Sequence, residues 1–211
     1  PEVYNKLNDR NKKQILKAEK GDGDSLIYVS SSFINGKNDF PENKEIGIEY
    51  LKYGVQRNDT KSIKQYGTYL LLGELIPQDE AKGASLLNEI ASIEKDSLQK
   101  LELAKILLSH QSFDIESTAN SKVNYTLSKQ ILKESADLGN AKAMCEYGII
   151  SMKHKKNQYG EITPNFKEAY KYFNMSSQKG DPEGMFYLGL FIENGYAGCQ
   201  IDTREAAKLY K

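Results

Sequence analysis

Apolar residues recur every three or four positions along most of this chain, which is the period of an amphipathic helix. In the segment that begins at Asn140, for example, apolar side chains occupy positions 141, 144, 147 and 150. Strand-like alternation is nearly absent, and the prolines lie at the chain start or between the periodic segments. The pattern therefore predicts an all-helical chain. Helices are expected near residues 5–20, 23–36, 44–57, 59–73, 79–94, 96–110, 124–138, 140–154, 165–179, 181–194 and from 203 onward.

The chain also repeats itself. The segment from Ser135 to Gly148 matches the segment from Ser176 to Gly189 without a gap. The same register extends backwards and marks five positions, called repeat heads below, which are 37, 37, 44 and 41 residues apart. The repeat heads are Gly21, Asn58, Lys95, Gly139 and Gly180. A period of this length predicts stacked helix-turn-helix repeats.

Two rows of small residues follow this register. Nine residues after each repeat head, a small residue follows a large one; these are Ser30, Gly67, Ala104, Gly148 and Gly189. A second row of small residues lies eleven residues before the head of the next repeat. Its members are Gly47, Ala84, Ser128 and Ala169, and Ala206 continues the same register. Because small residues let two helices approach closely, the rows predict two interlocking helices in each repeat.

Residues 136–148, with the sequence ADLGNAKAMCEYG, and residues 167–195 resemble the Sel1-like repeat (SLR) family, a relative of the tetratricopeptide repeats. Residues 202–211 are similar to the loop aspartate of that family and the opening of its second helix. Residues 1–134 share only the spacing and the small-residue rows. The resemblance implies an all-α fold, a right-handed α/α superhelix built as a solenoid of helix-turn-helix repeats.

On this basis one SLR solenoid is expected over residues 1–211. It would comprise a partial repeat at 1–20, then repeats at 21–57, 58–94, 95–138, 139–179 and 180–211, the last of them truncated. The chain opens Pro1-Glu2-Val3 without an initiator Met, so it is expected to be a fragment of a longer protein.

Composition and charge narrow the classes of function. The 29 basic and 29 acidic residues cancel, so no global field would attract nucleic acid, and no nucleic-acid partner is predicted. No apolar run approaches the roughly 20 residues of a membrane span. Three formal glycosylation sequons occur by chance in an Asn-rich chain and argue little for secretion. The compartment stays open, with the cytoplasm favoured over the endoplasmic reticulum lumen.

Candidate chemistry is sparse. His110 and His154 share the last turn of equivalent helices; they could bind a metal, but capping of the helix end is favoured because no third ligand has repeat spacing. Cys145 and Cys199 have no histidine placed to activate them, which favours inert thiols over a nucleophile or a disulfide. No catalytic residue, metal or cofactor is therefore predicted.

A partner-binding face is the better candidate site. In the related families the first helices line the concave face, and offsets three, six, ten and thirteen from each head should project there. The candidates taken from these offsets are Lys61, Lys64, Thr68, Leu101, Lys105, Lys142, Cys145, Ile149, Glu183, Phe186 and Leu190. An apolar floor at Leu101, Cys145 and Phe186, with lysines toward the N-terminal half, would suit an amphipathic helix or an extended peptide with acidic residues. Alternatively, the apolar positions pack between adjacent repeats.

The resemblance implies a non-catalytic protein–protein interaction scaffold or adaptor that binds a partner protein or peptide on its concave face. Two alternatives remain: the accessory repeat region of a larger enzyme or signalling protein, and a hydrolase. A hydrolase would need a nucleophile with a base, or paired carboxylates, at repeat-equivalent positions, and the sequence shows neither.

Overall fold

The fold is known from a computed structural model that describes residues 2–109, 119–153 and 164–211. Within these ranges the chain forms twelve α-helices and no strand. The helices are α1 (Glu2–Lys6), α2 (Asp9–Glu19), α3 (Gly23–Asn35), α4 (Lys44–Gln56), α5 (Thr60–Leu72), α6 (Glu80–Ile93), α7 (Ser97–Ser109), α8 (Ala119–Asp137), α9 (Ala141–Lys153), α10 (Phe166–Gln178), α11 (Pro182–Asn194) and α12 (Thr203–Leu209). A 3₁₀ turn, Tyr196–Gly198, precedes α12. The predicted all-α class is confirmed.

The helix predicted over residues 5–20 is interrupted, and that boundary prediction was wrong. Two helices, α1 and α2, occupy the segment, with Leu7 and Asn8 between them. Asn8 has extended backbone angles, and its side chain accepts a hydrogen bond of 2.9 Å from the Asn11 amide. Asparagine favours this N-cap position because its side chain satisfies an otherwise free amide of the first turn. A capping preference therefore overrides the helical periodicity here.

Side-chain caps set the start of each first helix. The residue after every repeat head is Asp or Asn, and its side chain accepts a hydrogen bond from the first helical turn, as at Asp22 with Ser25 (3.0 Å) and at Asp181 with Gly184 (2.7 Å). The capping residues are Asp22, Asp59, Asp96, Asn140 and Asp181. Each such cap contributes about 1 kcal/mol to helix stability. The same two-residue pattern of head and cap thus punctuates every repeat.

The second helix of most repeats ends at the following repeat head, where the backbone adopts a left-handed conformation. Gly21, Gly139 and Gly180 have φ of 90°, 94° and 82°, and Asn58 has φ of 58°. Glycine and asparagine tolerate this left-handed conformation, which stops a helix. Lys95 is the exception, because its backbone does not adopt the left-handed conformation. Its amide donates a hydrogen bond of 2.8 Å to the Glu94 carboxylate.

The chain divides at that exceptional head into two compact units. The described residues up to Ile93, together with Ala119 and Asn120, form unit 1, which contains α1 to α6. Glu94–Ser109 and the described residues from Ser121 to Lys211 form unit 2, which contains α7, α8 from Ser121 onward, and α9 to α12. The expectation of one continuous solenoid over residues 1–211 stays a prediction.

In unit 1 the small residues lie where helices of one pair meet. The Ser30 hydroxyl on α3 donates a buried hydrogen bond of 2.8 Å to the Gly47 carbonyl on α4. A Cβ atom on Gly83 of α6 would lie only 2.7 Å from the Gly67 carbonyl oxygen of α5. Backbones can approach this closely only where side chains are absent or very short.

In unit 2 the same rows accommodate aromatic rings. Phe173 on α10 is fully buried, and its ring occupies the space beside Gly148 on α9, where a Cβ atom would lie 2.6 Å from the ring. The Phe173 ring also contacts Tyr187 and Phe191 on α11, at centroid distances of 4.9 and 5.3 Å. All ten small residues of the two rows are buried, which confirms the predicted interlocking of helices.

Candidate functional site

All eleven candidate residues lie on first helices of the repeats, as the register predicts. Lys61, Lys64 and Thr68 lie on α5 of unit 1. The others lie in unit 2: Leu101 and Lys105 on α7; Lys142, Cys145 and Ile149 on α9; Glu183, Phe186 and Leu190 on α11. Their exposure to solvent separates those that can contact a partner from those that pack inside the unit.

Two of the three apolar floor residues are buried. Leu101 is 6% exposed, and Cys145 is completely buried in a cluster with Phe173, Leu188 and Phe191. Both therefore contribute to packing within unit 2, as the alternative interpretation of the sequence holds. The apolar floor is consequently interrupted at the surface, and of its three members only Phe186 presents a large apolar side chain to solvent.

Burial also determines the chemistry of the Cys145 thiol. Removal from water raises its pKa well above the usual range, and the carboxylates of Glu183 and Asp181 add to this effect. A thiolate is therefore disfavoured at Cys145, which makes this side chain a poor nucleophile and a poor metal ligand.

The thiols should differ in reactivity. Cys199 is partly exposed, whereas Cys145 is buried. We expect a chromogenic disulfide reagent to modify one thiol per chain rapidly in the native protein and two after unfolding in urea. A Cys199→Ser variant is the control and should show no rapid reaction. Rapid modification of Cys145 in the folded Cys199→Ser variant would show that the α9 face opens in solution.

Pairing neutralises part of the predicted lysine charge. The Lys61 ammonium forms an ion pair with Asp24, which lies at the equivalent position one repeat earlier. Lys105 Nζ lies 2.8 Å from Glu146 Oε1, which joins α7 to α9. The pKa of Lys61 is raised because Asp24 accepts a hydrogen bond from its ammonium. These lysines therefore offer an incoming acidic ligand less charge than the sequence alone suggests.

Around α11 the candidates Glu183, Phe186 and Leu190 lie three and four residues apart, on one side of the helix. Phe186 is 51% exposed, and its ring lies 5.8 Å from the ring of Tyr210, the C-cap residue of α12. The Tyr210 hydroxyl donates a hydrogen bond of 2.8 Å to the Glu193 carboxylate. This surface, called the α11 patch below, consists of Phe186, Leu190 and Tyr210 with Glu183 and Glu193.

Tyr210 and Glu193 were absent from the eleven candidate residues. A sequence signal for Tyr210 exists, since it follows the small residue Ala206 by four positions just as Phe173 follows Ala169. Both rings lie against the glycine of the preceding first helix, and a Cβ atom on Gly189 would lie 2.7 Å from the Tyr210 ring. Glu193 also has a sequence signal, because it lies at offset thirteen from the repeat head Gly180.

Metal sites and membrane-spanning helices were also sought in the described ranges. No group of three His, Cys, Asp or Glu side chains within residues 2–109, 119–153 and 164–211 is arranged to hold a metal ion. The histidines considered as a metal-binding pair, His110 and His154, lie outside the described residues. In the same ranges no helix is both long enough and apolar enough to span a bilayer.

Comparisons with known proteins agree with the helix-pair geometry. The Sel1 repeat family model matches residues 60–92, 141–181 and 182–211. A Sel1-like repeat-containing protein of Acanthamoeba polyphaga mimivirus is 32% identical over 81 residues, which are 38% of this chain and only 14% of that protein. A crystal structure of a Sel1 repeat protein from Oxalobacter formigenes is similar with a TM-score of 0.61 at 14% identity, covering 97% of this chain and 81% of the other. At this identity the likeness shows the fold alone.

Proposed function

The chain belongs to the Sel1 repeat family, whose proteins are protein-interaction scaffolds, and from that premise we propose that it binds a partner peptide or helix through the α11 patch. The observation that carries the proposal is the exposure of Phe186 on a first helix. Large aromatic side chains that are half exposed on a rigid helix are typical anchors for a protein partner.

Equivalent positions support this assignment. Leu101, Cys145 and Phe186 share offset six from their repeat heads, but the first two are buried within unit 2 and Phe186 is not. A side chain at this offset therefore packs well against a neighbouring helix, as Cys145 does in the cluster with Leu188. A partner helix or extended peptide could cover Phe186 in a similar way and remove its apolar surface from water.

The charges beside the patch suggest the chemistry of the partner. Glu183 precedes Phe186 by one helical turn, and Glu193 lies beside Tyr210. Two carboxylates that flank an apolar centre favour a partner segment with an apolar residue between lysines or arginines. This differs from the acidic peptide predicted on the first-helix face, because that prediction depended on lysines such as Lys61 and Lys105, which are paired.

The proposal assigns the chain no reaction. Sel1 repeat proteins are typically non-catalytic. On the candidate face the one thiol, Cys145, is buried with a raised pKa, which is the opposite of an activated nucleophile.

A peptide-library selection against the wild-type protein tests the binding site. Peptides selected in this way should bind a Phe186→Ser variant about thirtyfold more weakly, since truncating a central aromatic anchor costs about 2 kcal/mol. Leu138→Ser is the matched control, because Leu138 is 54% exposed in the same unit and lies outside the patch. Fluorescence anisotropy gives the dissociation constants, and thermal melts verify folding.

One binding result would contradict the proposal. If the selected peptides bind the Phe186→Ser and Leu138→Ser variants equally well, the α11 patch is not the site. A Leu101→Ser variant serves as a second control, because its buried side chain should lower the melting temperature without supplying a contact to the peptide.

A further inference from the structure

A row of cations follows the exposed side of α2 in unit 1. Arg10, Lys13, Lys17 and Lys20 are spaced by three, four and three residues, which returns each of them to the same side of the helix. All four are exposed, and none forms an ion pair within the residues that the structure describes. At a rise of about 1.5 Å per residue, this basic row is about 15 Å long.

An apolar cleft lies beside the basic row. Its volume is about 480 Å³, and it opens between α2 and α4. The apolar and aromatic residues that line it are Tyr4, Ile15, Leu16, Phe33, Ile46 and Tyr50. This volume is within the range of small-ligand pockets and is sufficient for one large apolar side chain.

Leu16 joins the cleft to the basic row. It lines the cleft, is 49% exposed, and lies three residues after Lys13 and four before Lys20. Residues with this spacing are neighbours on a helix surface. A segment laid along α2 could therefore contact the cations and insert a side chain into the cleft at the same time.

The cleft wall also carries a hydrogen-bond donor. The Tyr50 phenol is protonated at neutral pH, as tyrosine ordinarily is, and burial raises its pKa further, to about 12. A protonated phenol at the edge of an apolar cleft can donate to a carboxylate or carbonyl oxygen of a bound chain.

We propose that the basic row and the cleft together bind an acidic peptide segment, with one apolar side chain in the cleft and its carboxylates along the row. The surface lies on α2 and α4 of unit 1, whereas the α11 patch belongs to unit 2, so the two sites share no residue.

The acidic residues around the cleft favour a peptide over a nucleic acid or an anionic membrane. Glu19 lines the cleft, and Glu45 is exposed on α4, the helix that supplies Ile46 and Tyr50 to the same cleft. These carboxylates would repel a phosphate backbone or a layer of anionic headgroups that covered the whole surface. A peptide avoids this repulsion because it can present its carboxylates on one side only.

The test uses the whole chain and a fluorescein-labelled peptide of alternating Glu and Ser with one central Phe. Fluorescence anisotropy should show binding that weakens with salt. A Lys13→Glu/Lys17→Glu variant should bind this peptide at least about tenfold more weakly. The matched control is Lys37→Glu/Lys82→Glu, which makes the same charge change at two other exposed lysines of unit 1 and should leave the affinity within about twofold.

Three results would overturn the proposal. Equal weakening in the test and control variants would reduce the effect to non-specific attraction. Equal affinity for a probe with Ser in place of Phe would remove the cleft from the site. Tighter binding to phosphatidylserine vesicles or to duplex DNA than to the peptide, lost in the Lys13→Glu/Lys17→Glu variant, would assign the row to a different class of ligand. Circular dichroism confirms that each variant is folded.

Discussion

Replacing Phe173 with alanine is expected to destabilise unit 2 by about 3–5 kcal/mol, the usual cost of removing a fully buried aromatic ring. The ring is 0% exposed and lies between Gly148 on α9 and the rings of Tyr187 and Phe191 on α11. Gly148 has no side chain that could fill the space left by the ring, so a cavity should remain. Urea unfolding followed by circular dichroism, with hydrogen exchange of α9 to α11, measures the loss.

A Phe186→Ala variant is the matched control for this prediction. It removes the same ring from a position that is 51% exposed, and the expected cost is at most about 1 kcal/mol. Equal losses at the two positions would contradict the packing described for unit 2, since the difference depends only on burial.

A Gly83→Ala substitution is expected to destabilise unit 1 by about 1–3 kcal/mol, although alanine is the better helix former. The added Cβ atom would lie 2.7 Å from both the Gly67 carbonyl oxygen and the Leu71 amide nitrogen on α5. Both are backbone atoms and cannot rotate away, so α5 and α6 must separate. A thermal melt should therefore show a lower midpoint for this variant than for the wild-type protein.

Ser85→Ala on the same helix supplies the control. Ser85 is exposed, so its replacement changes helix propensity without creating a new contact between helices, and the effect should stay within about 0.5 kcal/mol. A Gly83→Ala variant more stable than wild type by about 1 kcal/mol, the propensity gain alone, would show that α5 and α6 are not in close contact.

Helix positions were largely predictable because their determinants are local. The Asp or Asn after each repeat head accepts a hydrogen bond from the first turn of the helix that it starts. Gly21, Gly139 and Gly180 adopt the left-handed backbone that ends the preceding helix. The weakest repeat match, at Lys95, is also the head without a left-handed backbone. The departure from the pattern at Asn8 follows from the same capping chemistry.

The candidate site was only partly predictable. The register correctly places eleven residues on first helices, but it treats Leu101, Cys145 and Phe186 as equivalent when only Phe186 is exposed. Exposure depends on whether another helix covers the position, and the spacing of the repeats does not record which positions are covered. Ion pairs such as Lys61 with Asp24 join residues of neighbouring repeats and likewise depend on how those repeats pack.

The sequence by itself determined the all-α class, the repeat register, most helix ends and the small residues at which paired helices meet. Each of these depends on residues within one or two helical turns or on a spacing that recurs along the chain. Only the tertiary structure decided which side chains reach solvent, which lysines are paired, and that Tyr50 of α4 and Leu16 of α2 line one cleft beside the basic row. These properties arise where distant segments pack together, because burial and charge pairing depend on the neighbours that the fold supplies.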